Sequence, residues 1–95
     1  MREKALQFEK EHYESRVEHY KNELEKTEEA LQLAKERLEI LEIVNEKLEP
    51  SSAKMIIETD IEYLTNEINE LRKDLSYNRG NLESFRKIVE IFNDL

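Results

Sequence analysis

The sequence predicts an all-α fold: a long antiparallel helical hairpin, a coiled coil of two helices, expected to dimerise into a four-helix bundle. Three observations lead there. Turn-forming residues are nearly absent, with one Gly and one Pro among 95 residues. Apolar residues recur in alternating steps of four and three through both halves, the spacing of a helical seam. The single strong break, Glu49-Pro50-Ser51-Ser52, falls in the middle. One domain spanning 1-95 is expected, with a helix over 2-48, a turn over 49-52 and a helix over 53-94.

The first helix follows from one stripe. Leu6, Lys10, Tyr13, Val17, Tyr20, Leu24, Thr27, Leu31, Ala34, Leu38, Leu41, Asn45 and Leu48 keep the alternating spacing. Only Lys10, Thr27 and Asn45 are not apolar. In heptad letters, Val17, Leu24, Leu31, Leu38 and Asn45 are a, and Tyr13, Tyr20, Thr27, Ala34, Leu41 and Leu48 are d. The break follows from chemistry. Pro50 disfavours helical geometry at Glu49 and has no N–H to donate. Ser51 or Ser52 can accept from the first free N–H groups of the next helix. Loops this short join antiparallel neighbours.

The second helix repeats the pattern. Ile57, Ile61, Leu64, Ile68, Leu71, Leu75, Asn78, Leu82, Phe85, Val89 and Phe92 form its stripe, with Asn78 the one polar member. The phase runs unbroken past Gly80, which falls at f, away from the seam. A solvated helix glycine costs about 1 kcal/mol, and that reading is favoured over a break at Asn78-Arg79-Gly80-Asn81. Folding about Ser51 sets Leu41 against Ile61, Ala34 against Ile68, Thr27 against Leu75 and Val17 against Phe85. A seam asparagine trades stability for a fixed register when buried, or is simply hydrated near a bundle end.

Two helices bury one stripe each, and more than that is apolar here. Positions g and c lie beside d. They hold Leu33, Ile40 and Val44 in the first helix and Ile56, Tyr63, Tyr77, Ile88, Ile91 and Leu95 in the second. In an antiparallel pair these positions share one broad face. The opposite face, at e and b, is charged, with Glu14, Glu25, Lys35, Glu39, Arg72 and Arg86 among its members. The apolar face is strongest near the turn and again near the termini, where Phe8 is close. Lys26, Glu67, Glu70 and Asp74 separate the two regions. Contiguous apolar surface of this kind marks an interaction site. Self-association about a two-fold axis is the simplest way to cover it. One patch for a dimer and the other for a partner is a variant of that expectation.

Composition narrows the function. Charged residues make up 40% of the chain and the net charge is −8. The first 49 residues carry 9 basic and 14 acidic side chains, and the rest carry 6 and 9. Neither half attracts phosphate, so nucleic acid and anionic membrane surfaces are not expected partners. No apolar run approaches the ~20 residues of a membrane span, and a cytoplasmic location is expected. With no Cys there are no disulfides or thiolate metal sites. His12 and His19 fall at c, two turns or about 10 Å apart along the helix, with Arg16 between them, a poor cation site. Glu9 and His12 have Glu-x-x-His spacing once, but away from the seam where a di-iron bundle needs it. Ser15, Ser51, Ser52, Ser76 and Ser84 have no His-Asp arrangement, and one glycine makes no phosphate loop. No enzyme, cofactor or metal is expected. Tyr13, Tyr20, Phe85 and Phe92 are read as core, with a ligand pocket between subunits as the alternative.

The organisation resembles small helical-hairpin dimers of the four-helix-bundle regulator type, a likeness of architecture that rests on no family motif. The expected function is a non-enzymatic protein-interaction module: a homodimeric regulator, adaptor or small inhibitor that binds another protein. The Lys-, Glu-, Ile- and Asn-rich usage hints at an AT-rich bacterial or phage genome. Two alternatives are a structural coiled-coil segment of a larger assembly and a bundle that sequesters a small ligand. The start at Met1 and the end of the heptads at Phe92 favour a whole chain over a segment.

Overall fold

The computed structural model describes residues 2–95. It contains two helices, α1 (Arg2–Lys47) and α2 (Ser52–Asn93), and no strand among the described residues. Contacts gather into two compact units. A turn unit comprises Thr27–Asp74, and a terminal unit comprises Met1–Lys26 with Leu75–Leu95.

In the turn unit the helices are joined through residues 48–51. The Leu48 N–H donates to the Asn45 carbonyl at 3.2 Å, closing α1 with a tightened turn. Pro50 then bars further helix. Of the two candidate serines, Ser51 is the cap. Its Oγ accepts from the Lys54 N–H at 3.2 Å, the third N–H of α2, and donates to the Glu49 carbonyl at 2.9 Å. Its carbonyl accepts the first α2 bond, from the Met55 N–H at 3.1 Å. Lys54 lies one heptad before Ile61, at a seam position the apolar pattern did not reveal. Its ammonium donates to the Asn45 carbonyl at 2.7 Å and to Asn45 Oδ1 at 3.2 Å. The polar seam residue beside the turn is thus bonded across the helix pair. Beyond it, Leu31 and Ala34 of α1 and Leu64 and Ile68 of α2 are buried, together with Thr27.

The terminal unit is held by rings. Tyr20 stacks on Phe85 with centroids 5.6 Å apart, and Tyr13 on Phe92 at 5.6 Å. Phe85 also reaches Tyr13 at 6.1 Å. Leu82 and Asn78 are buried. The helix runs through Gly80 without interruption and without a positive φ. A Cβ at Gly80 would meet nothing within 4 Å. No turn, cap or close approach requires a glycine there.

Every one of the 24 seam positions is buried or half-buried. The ring contacts agree with the expected register. Folding about Ser51 sets Phe85 opposite Val17, and its ring lies between Tyr20 and Tyr13, at 5.6 and 6.1 Å, the d residues on either side of Val17.

Two substitutions test this account by urea unfolding. Gly80→Ala is expected to stabilise the chain by about 1 kcal/mol, because it removes helix-opposing entropy at no steric cost. Ser51→Ala is expected to cost about 1 kcal/mol through loss of the cap. A destabilised Gly80→Ala variant would contradict the open surroundings of that residue.

Candidate protein-interaction face

The turn unit presents its apolar surface in one place. Leu33, Ile40 and Val44 of α1 and Ile56 and Tyr63 of α2 are all exposed, from 38% at Val44 to 74% at Tyr63. They are exposed because g and c lie beside the seam, and the seam contact reaches only a and d. Between them is an open recess of about 440 Å³, lined by Arg37, Ile40, Leu41, Asp60, Tyr63, Leu64 and Glu67. Leu41 and Leu64 belong to the seam and form its floor, while Ile40 and Tyr63 stand at c on either side. Arg37, Asp60 and Glu67 occupy g positions on the two helices. Arg37 Nη1 lies 3.9 Å from Glu67 Oε2, with both side chains more than half exposed. Such a pair contributes little and leaves both groups free to rearrange. Asp60 has no ion-pair partner among the described residues.

The terminal unit differs. Tyr77, Ile91 and Leu95 are exposed, as is Phe8. Ile88, expected on the open face, is half-buried, and so are Glu23 and Asn81, which also fall at g. In this unit the neighbouring d positions carry Tyr13, Tyr20, Phe85 and Phe92. The same rings lie against one another with centroids within 6.1 Å, and all four are half-buried.

Three exposed apolar residues lie outside the expected face: Phe8 and Ile43 at f, and Met55 at b. Single residues off the heptad give no periodic signal. Met55 nonetheless adjoins Ile56 in a shallow recess with Thr59 and Asp60 and widens the patch at its turn end.

Chemistry elsewhere is sparse. His12 and His19 each stand edge-on to the next tyrosine, at 5.0 and 4.9 Å. No group of three His, Cys, Asp or Glu residues is placed to hold a metal ion among the described residues. No described helix is long and apolar enough to cross a membrane. Comparison with protein-family models, curated proteins and solved structures finds no match.

One group in the terminal unit titrates abnormally. A hydrogen bond to Tyr77 holds the Tyr20 phenol above its ordinary value of 10.0, with partial desolvation and the Tyr77 charge adding to it and Arg16 opposing it. The two rings meet edge-on at 6.3 Å. A raised pKa means the folded state favours the neutral phenol. That stabilisation is present below about pH 10 and is lost as the pH rises through the folded-state value. In ultraviolet phenolate titrations, the midpoint that disappears in Tyr20→Phe is expected above 10 in the parent protein and lower in Tyr77→Phe. An unchanged midpoint in Tyr77→Phe would rule out the bond as the cause.

Proposed function

We propose that this chain is a non-enzymatic protein-interaction module that acts as a homodimer, two hairpins meeting through their g and c faces as a four-helix bundle. The observation that carries this reading is the exposed patch of the turn unit, set beside a thin core. Among the described residues only five apolar side chains are buried, and no side chain is less than 2% exposed. Five large apolar side chains on one face of the turn unit remain in water. Each offers on the order of 100 Å². Two copies together can cover about 1,000 Å², which reaches the size of a specific interface. Covering that surface gives each hairpin the second packed layer that a two-helix seam lacks. The role that fits such a bundle is that of a regulator, adaptor or small inhibitor acting on another protein. The exposed Tyr77, Ile91 and Leu95 of the terminal unit are the surface offered to that partner.

Light scattering is expected to give twice the chain mass at micromolar concentration. The thermal midpoint is expected to rise with protein concentration, because association stabilises the folded state by mass action. A chain that stays monomeric at millimolar concentration, with a concentration-independent midpoint, would sink the reading.

A further inference from the structure

A pair of opposite charges bridges the two helices in the middle of the exposed patch. Arg37 Nη1 lies 3.9 Å from Glu67 Oε2, and both residues are at g. Ile40 and Tyr63 stand on the turn side of the pair and Leu33 on the other, all three exposed. We propose, resting on the homodimer reading above, that the two copies lie side by side with their turns at the same end. Their two-fold axis runs along the hairpins, between the two g and c faces, and Arg37 and Glu67 of both copies close into a ring of four charges around it.

Rotation about an axis parallel to the helices keeps every residue at its own level. It lays α1 of one copy on α2 of the other, and the two run antiparallel, as they do within a hairpin. Residues that are level inside one hairpin therefore meet again across the axis. Arg37 is level with Glu67, so the four groups form a square whose signs alternate. Each guanidinium has the Glu67 of its own chain on one side and the Glu67 of the second copy on the other. A guanidinium offers five N–H donors and a carboxylate two oxygens, and a single contact at 3.9 Å satisfies neither. Charges taken out of water need such partners, and the ring gives each of them two. One turn nearer the loop, Ile40 is level with Tyr63, so each of these meets the other across the axis. The two recesses of about 440 Å³, floored by Leu41 and Leu64, then face each other. Lys47 leans away from the turn and Asp60 toward it, which brings that ammonium toward Asp60 of the second copy.

Charge selects this axis and this occupant. A two-fold across the helices sets α1 on α1 and α2 on α2 of the second copy. Centred on the ion pair, it puts Arg37 on Arg37 and Glu67 on Glu67. Centred on Ile40 and Tyr63, it puts Glu67 against Asp60, acid on acid. A partner of a single sign meets repulsion from either Arg37 or Glu67, whereas a second copy supplies the complement of both.

The double exchange of Arg37→Glu with Glu67→Arg tests the ring and keeps an opposite pair inside each hairpin. Two double-variant chains again alternate in sign. One such chain beside a parent chain sets Arg37 on the introduced arginine and Glu67 on the introduced glutamate. When isotope-labelled parent and variant are mixed in equal amounts, native mass spectrometry is expected to show heterodimer about fivefold below the half that random exchange gives. A nitroxide on Ser52→Cys, in a chain with no other cysteine, reads the orientation without altering the ring. The label separation is expected to be about 20 Å, the width of two helices, whereas a crosswise axis leaves ~10 residues between itself and each turn and separates the labels by about 30 Å or more. Heterodimer near or above half overturns the ring, and the longer label separation overturns the shared orientation; the homodimer survives either result. A parent chain that stays monomeric overturns the homodimer as well.

Discussion

A two-helix seam can bury one stripe per helix, and the rest of this molecule is arranged around that limit. The alternating stripe puts 24 side chains at the contact, yet few of them leave water completely. The chain exposes 7436 Å², where a globular monomer of its mass exposes roughly 5,800 Å². Isolated helices gain little from propensity alone, so long helices depend on the face they bury. A chain that commits nearly all its residues to two helices therefore has a small hydrophobic reserve and several apolar side chains left over. Those side chains are sorted to one side, beside the seam, while e and b stay charged. The sorting matters more than the number, because it turns a shortage of core into a surface with a direction.

Polar residues within the seam refine the pairing. Lys54 and Asn45 illustrate how. An amide and an ammonium at the contact contribute less than two leucines would, but the bonds from Lys54 to both oxygens of Asn45 define one alignment beside the turn. Sliding either helix by a heptad would strand a charge against apolar neighbours, which costs more than the hydrogen bonds return. Stacked rings do similar work in the terminal unit, where tyrosine and phenylalanine interleave along the pair. The two units thus fix their register by different means, one by hydrogen bonds and one by shape.

What the sequence made legible divides along physical lines. Seam membership, the break at Pro50 and the continuity of α2 past Gly80 depend on local periodicity and local chemistry, and all could be read from the order of residues. The pairing of Val17 with Phe85 could be read as well, since it follows from the position of the break, and the Phe85 ring lies between the two tyrosines that flank Val17. Lys54 was missed because charge hides a seam position from an apolar template. Ile88 falls at g as the heptad requires, yet it is half-buried, a difference of degree that a heptad wheel does not represent. Met55 and Ile43 had no pattern to betray them, while Phe8, expected close to the apolar face, lies off it at f.

The aromatic residues have a consequence of an optical kind. The chain has four tyrosines and no tryptophan. Tyr13, Tyr20 and Tyr77 lie in the terminal unit among stacked or edge-on rings, while Tyr63 is the sole tyrosine of the turn unit and stands in solvent. Light absorbed and re-emitted by the turn unit therefore comes from a single residue at the rim of the recess. The molecule carries its own unlabelled reporter there, and the difference in emission between the parent and a Tyr63→Phe variant isolates it from the other three tyrosines.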